Sequence, residues 1–337
     1  MLLGRGFDRG LRRFRLCLGF HFSHLNSSNG AIVTPPWRES RLHWSVWVGF
    51  PLIDLHSHTN ESDGSCSPAR LVQEAVRAGV DVLGITDHDT FAGYDQALPE
   101  ARARGVGLVC GIELSTKLHG HSVHLLGYFL GDDGLRGFRD WVLEMQASRR
   151  ERNERLAARL RELGFDITVE EAQARGRGMT GRPHFAEIMV EKGYAANYRQ
   201  AFDDYLDESA KGYVYRREPQ FAEAVAQILK AGGIASLAHP VRVKGDVAAM
   251  MPELRDAGLN AIEAYHSDHG ARETELYLGL AKRYGLMVTG GSDFHGAPKP
   301  EVLLGTGCAG NLHLPDDLVE KLREGKPYNS LSCGDER

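Results

Sequence analysis

Short apolar runs recur between residues 51 and 295, and nearly every one carries histidine, aspartate or glutamate at or just beyond its end. They are "PLIDLH", "VDVLGITDHD", "VGLVCGIELS", "HSVHLLGYF", "GGIASLAHP", "NAIEAYHS" and "GLMVTGGSDFH". Several are continuous and β-branched, as strands covered on both faces are. Helical stretches separate them at 68–78, 93–104, 219–231, 246–257, 272–284 and 316–324. The first of these has a start and a stop: Ser67-Pro68 reads as N-cap and first helical position, and Gly79 as the residue after the end. Alternating strands and helices imply a parallel sheet. About seven such units suggest an α/β barrel of the TIM-like (β/α)7 kind.

Between about residues 132 and 214 the alternation stops. "GFRDWVLEMQASRRERNERLAARLRELG" reads as one long helix with apolar positions Phe138, Trp141, Val142, Met145, Leu156, Leu160 and Leu163. "TVEE" at Thr168–Glu171 matches a capping box for the next helix, and more helix follows to about Leu206. The expectation is an all-helical insertion at 132–214, set into a barrel formed by 51–131 and 215–330. Loops at the strand ends are where barrels carry function. Residues 1–50 are arginine-rich and acid-poor at their start, which resembles a transit peptide. They read better as a disordered extension or a start codon placed too far upstream, since periodicity begins only at about Val46.

The polar residues that follow the runs converge on one face if the strands form a barrel. His56 and His58, two apart, point the same way from a strand, and Asp63 follows in the loop. Asp87, His88 and Asp89 come next, then Glu113, His124, His239, His266, Asp293 and His295. A lone HxH has no fixed partner, but this many ligand types at strand ends point to metal. Imidazole and carboxylate without thiolate suit Zn, Mn or Fe. There are more ligands than one tetrahedral site takes, so more than one ion is implied. Paired ions about 3.5–4 Å apart generate a hydroxide nucleophile and stabilise a phosphoryl oxygen.

Composition narrows the alternatives. The five cysteines are scattered with no CxxC pair, against a disulfide framework or thiolate zinc site and in favour of a reducing compartment. A net charge of -5 argues against nucleic-acid binding through bulk charge, leaving only a local basic stripe. No apolar stretch nears the ~18 residues of a membrane span. A soluble, cytoplasmic protein with no obligatory protein partner is expected.

In order and spacing, "DLHSHTNESDG", "GITDHDT", "GIELS", "HLLGY", "LAHP" and "GSDFHG" resemble the PHP (polymerase and histidinol phosphatase) family over about residues 52–310. Within it, the chain is most similar to stand-alone nucleotide phosphoesterases: 3',5'-nucleotide bisphosphate phosphatases and a 5'-to-3' exoribonuclease. The resemblance implies a distorted seven-stranded (β/α) barrel and a trinuclear centre, commonly manganese, with Zn, Fe or Mg as alternatives. One ion would take His56, His58, Glu113 and Asp293. A second would take Glu113 as a bridge with His124 and His239, and a third Asp63, His88 and His295. It also implies attack on phosphorus in line by a metal-generated hydroxide, without a covalent intermediate; no general acid is assigned.

The substrate implied is a nucleotide bisphosphate or the 5' end of a short RNA. The arginine run Arg149, Arg150, Arg152, Arg155 reads in isolation as a solvated helix face paired with Glu151 and Glu154. Beside a metal site, guanidinium groups are the usual receptors for a second phosphate. Arg149, Arg152, Asn153, Arg182, His184 and Arg242 are therefore the candidate substrate-binding residues, with "TGRPH" read as a shaped loop. Val241 replaces the glycine expected after "AHP", and "YVYRRE" at 213–218 departs from the proline-rich stretch of relatives. Histidinol phosphate is the rival substrate, a polymerase-associated proofreading module a further rival, and a non-catalytic, metal-stabilised regulatory domain the rival class.

Overall fold

The computed structural model describes residues 51–131, 135–176 and 179–328. Residues 1–50, expected to be an extension, lie outside the described residues. Every expected strand is present: β1 (Leu52–Asp54), β2 (Val80–Ile85), β3 (Gly107–Leu118), β4 (His121–Phe129), β5 (Ile234–Leu237), β6 (Ala261–His266) and β7 (Met287–Gly291). Among the described residues they form a seven-stranded sheet in chain order.

The sheet departs from the all-parallel expectation at β4, which runs antiparallel to both β3 and β5 while the other neighbours are parallel. The reason is local. His119 and Gly120 both have positive φ (51° and 80°), the backbone of a two-residue hairpin turn, and Leu118 pairs with His121 across it. Such turns match strand twist and close antiparallel pairs tightly. His119 thus caps the hairpin, as a loop residue, and bonds Glu253 at 2.9 Å; His121 opens β4.

The helices follow the sequence signals closely. α1 (Pro68–Ala78) begins where Ser67 Oγ accepts the Arg70 N–H and ends at Gly79, φ 78°. Its Leu71, Val72 and Ala75 are fully buried against Leu83, Ile85 and Leu108 of the sheet and Ala97 and Ala101 of α2 (Ala92–Arg104). Each large apolar side chain so buried contributes roughly 1.5–3 kcal/mol.

Between β4 and β5 come α3 (Leu135–Glu162), α4 (Val169–Gly176), α5 (Arg182–Glu191), α6 (Tyr198–Ala201), a π-turn at Phe202–Leu206 and α7 (Phe221–Lys230). The first four of these helices and the π-turn share a core of their own around Leu156, Leu160, Ile167, Phe185, Ile188, Met189 and Leu206. The Thr168–Glu171 capping box is present in both directions, at 2.9 and 3.1 Å. The expected loop at "TGRPH" is instead the start of α5: Gly181 is its N-cap, Arg182 and Pro183 open its first turn, and His184 Nδ1 accepts the Gly181 N–H at 3.0 Å. After β5 come α8 (Val247–Asp256), α9 (Ala271–Tyr284) and α10 (Leu318–Arg323).

The chain beyond β1 hydrogen-bonds the chain around β7: Leu55 N–H to Gly290 O (3.2 Å), Asp293 N–H to His56 O (2.8 Å) and His58 N–H to Phe294 O (2.9 Å). Gly291 makes that approach feasible, since a Cβ there would lie 2.2 Å from His56 N. Gly291→Ala should therefore destabilise the fold by about 1–3 kcal/mol, read as a lower urea midpoint with an unchanged slope. An unchanged midpoint would show that His56 yields freely.

Candidate metal centre

Glu113, in the middle of β3 and 1% exposed, is the hub. His124 Nδ1 lies 2.8 Å from its carboxylate, His239 Nε2 2.9 Å, His58 Nε2 3.1 Å, and His56 Nε2 and His88 Nδ1 3.3 Å. Asp293 Oδ1 stands 3.4 Å from His56 Nε2 and 3.3 Å from His58 Nε2. Asp63 meets His295 Nε2 at 3.3 Å, His88 Nε2 at 3.5 Å and His58 Nδ1 at 3.6 Å. The nine residues expected from the sequence thus meet in one cluster.

Besides His56, Glu263 and His266, three groups made wholly of expected ligands have ligand atoms mutually within 4.8 Å among the described residues: His56, His58, Glu113 and Asp293; His58, Asp63, His88 and His295; and His88, Glu113 and His124. The first reproduces one implied ligand set. The others differ from the implied sets by sharing His58 and His88, and His239 joins through Glu113.

The donors fit divalent cations. Nε2 of His58 and Nδ1 of His88 and His124 are buried against the Glu113 carboxylate, yet among the described residues none makes an aligned hydrogen bond. This is the arrangement of donors gathered around a common point rather than bonded to one another, and it is costly unless a cation takes the lone pairs. Burial opposes charge on His58, but the Asp293 and Glu113 carboxylates outweigh it and hold the imidazole up at about 9. Burial prevails at His88 and His239, down at about 4 and about 3. At Glu113 and Asp63 burial resists ionisation, yet the surrounding imidazoles hold both carboxyls well below their usual range. Imidazoles and carboxylates without thiolate suit Zn, Mn or Fe.

Glu263, which the sequence did not reveal, and Asp87, which it placed among the strand-end polar residues, fix this geometry as supports rather than as expected ligands. Glu263 accepts from His56 Nδ1 at 2.8 Å and from the His239 N–H at 2.6 Å, which orients one ligand ring and the backbone of another. Asp87 accepts from Thr59 N–H, Thr59 Oγ1 and Ser62 Oγ at 2.6–2.7 Å and so pins the loop that carries Asp63. Asp89, His239 and Asp293 all have positive φ (53°, 24° and 57°). Non-glycine residues in that region are strained, and such residues gather at functional sites. His266 is buried behind Asp293, its Nε2 3.7 Å from Oδ2, away from the cavity wall.

The cluster opens into a cavity of about 460 Å³ between the strand ends and the helical segment. Arg149, Arg152, Arg182, His184 and Arg242 line it. Asn153 does not: it stands behind Arg152, accepting from its Nε at 3.0 Å and donating to Thr180 O at 2.8 Å. The arginine run splits, with Arg149 and Arg152 buried and Arg150 and Arg155 exposed. Arg149 is neutralised by Asp89, which also takes Arg216 at 3.3 Å. Arg216 comes from the divergent "YVYRRE" stretch, whose Glu218 lines the cavity. Arg242 and Lys299 hold Asp293 Oδ2 at 2.9 and 2.6 Å.

A PHP domain profile matches residues 54–215. A 5'-3' exoribonuclease of Haemophilus influenzae is 32% identical over 270 residues, covering 79% of this chain and 96% of the relative. The chain belongs to the PHP domain family. A second relative, the 3',5'-nucleoside bisphosphate phosphatase of Chromobacterium violaceum, is 31% identical over 72% of this PHP chain and 87% of its own length. A solved structure of a Bifidobacterium adolescentis protein, assigned as a metal-dependent phosphoesterase, superposes with a TM-score of 0.71 at 31% identity, over 81% of this chain and 96% of that one. Among the described residues no helix is long and apolar enough to cross a membrane.

Proposed function

We propose that this PHP protein is a metal-dependent phosphoesterase that removes phosphate from 3',5'-nucleoside bisphosphates and trims the 5' end of short RNA at the same site. One observation carries the reading. The ligand cluster and the Arg152 guanidinium, which is buried and pairs with no carboxylate among the described residues, face the same cavity. A substrate with two phosphates answers both. The names of the two curated relatives support the substrate class, and the guanidinium-rich wall favours it over histidinol phosphate.

The nine residues of the cluster would hold the ions, manganese in a trinuclear arrangement being our reading. Bound cations supply a nucleophile from water at neutral pH and neutralise charge on the phosphoryl oxygens. The chain's own groups do the rest. Arg152 and Arg182, with His184, hold the phosphate that is not cleaved, and Arg242 and Lys299 fix the rotamer of Asp293. The hydrogen bonds from 55–58 to 290–294 support reading the sheet as a closed, distorted (β/α)7 barrel, with 132–214 as its insertion.

The test is phosphate release by manganese-loaded protein from adenosine 3',5'-bisphosphate, a short 5'-phosphorylated RNA and histidinol phosphate, side by side. The first two should be hydrolysed, chelation should stop the reaction, and elemental analysis should find more than one ion per chain. Preference for histidinol phosphate would overturn the substrate class. One ion or none in active protein would overturn the centre.

A further inference from the structure

Tyr198 is 43% exposed although it lines the cavity. Four residues on, Phe202 is half-buried against the core of the helical segment and lines the same cavity. Residues four apart on a helix are neighbours, and the two rings lie 5.1 Å apart at 35°. Phe202 is anchored; Tyr198 offers its ring to the space beside it.

The backbone under the pair is built with care. Asn197 Oδ1 accepts the Gln200 N–H at 2.9 Å, and Gln200 Oε1 accepts the Ala196 N–H at 2.8 Å. Phe202 opens the π-turn, its carbonyl taken by the Asp207 N–H at 2.9 Å. Single π-turns are rare and concentrate at functional sites. Arg182 Nη1 bonds Leu206 O at 3.3 Å, so the phosphate-binding wall and the aromatic pair are tied to one another.

We infer that Tyr198 and Phe202 form a stacking platform for the nucleobase of the substrate, with Tyr198 as the contacting ring. The inference rests on the nucleotide phosphoesterase reading and adds to it the base-binding subsite. Stacking uses the π-face that every base has and tolerates any sequence. The platform therefore confers a requirement for a base without choosing which, as both a mononucleotide and an RNA end demand.

The test compares manganese-loaded wild type, Tyr198→Ala and Tyr198→Phe on two substrates: adenosine 3',5'-bisphosphate and ribose 3,5-bisphosphate, which lacks a base. Removing one base–aromatic stack weakens binding by about five- to 150-fold. Tyr198→Ala should therefore raise KM for the adenosine compound by a factor in that range, with kcat nearly unchanged. KM for ribose bisphosphate should stay put, and Tyr198→Phe should behave as wild type. Purine and pyrimidine bisphosphates should lose alike. Equal change on both substrates, or none on the adenosine compound, would overturn the platform while leaving the phosphoesterase reading intact. Wild-type protein that handles ribose bisphosphate as well as adenosine bisphosphate would overturn the platform on its own. Failure to hydrolyse either would overturn the parent reading and the platform together.

Discussion

Glu113→Gln is expected to lower turnover of adenosine 3',5'-bisphosphate by about a thousand-fold or more. Five imidazoles stand within 3.3 Å of this carboxylate, and it belongs to two of the ligand groups, so its charge is shared across most of the cluster. The amide keeps the volume and the backbone of β3 but cannot neutralise a cation. Losing several kcal/mol of charge stabilisation at the reacting phosphate corresponds to three decades or more in rate. The fold should survive: the metal-free melting temperature should move by only a few degrees, because the swap is isosteric and the sheet bonds of Glu113 are to its backbone. Metal content should fall in parallel with activity. Full metal content with full activity would remove Glu113 from the centre. Uptake should also release protons, since the cluster holds His58 protonated up to about 9 and ligands must be deprotonated. Apparent affinity should accordingly rise with pH through the neutral range.

Most of the ligands were legible because they follow an apolar run closely, with Glu113 and His124 inside one, and strand geometry does the rest: two residues apart means one face. α1 was legible to the residue because Ser67-Pro68 and Gly79 are unambiguous signals. The direction of β4 was not, because its turn is His-Gly rather than the Asn-Gly that announces such hairpins; only the sharing of positive φ by His119 and Gly120 makes it. Glu263 was invisible for a different reason. It sits inside the apolar β6, where its value depends on His56, more than 200 residues earlier in the chain. Arg216 lies in irregular chain with no periodicity to say which way it faces. The arginine run held a signal that a solvated-face reading passes over. Arg149, Arg152 and Asn153 continue the Leu156–Leu160 face of α3 at intervals of three and four, and that is the face the structure buries.

Arg152→Met should cost function while sparing or raising stability. Arg152 is 4% exposed, bonds Asn153 through Nε, pairs with no carboxylate among the described residues, and has Arg149, Arg182 and Arg216 nearby, with Glu218 opposing them weakly. Burial, reinforced by those like charges, pushes its guanidinium well below the usual range, so in the substrate-free protein its positive charge opposes folding at neutral pH. A buried cation without a directly paired counter-charge is destabilising, and an apolar residue of similar length relieves that by about 1 kcal/mol or more. The melting temperature of the variant should rise by a few degrees, and inorganic phosphate should stabilise the wild type more than the variant. The charge-assisted bonds that such a group makes to a phosphate are worth roughly 1.5–3 kcal/mol. The specificity constant for adenosine 3',5'-bisphosphate should therefore drop by about one to two orders of magnitude. Hydrolysis of a small aryl phosphate, which has nothing to place against Arg152, should change little. Equal losses on both substrates would make Arg152 a support for the metal centre. A variant that is less stable and equally active would show that the guanidinium is there for packing, and the second phosphate would need another receptor.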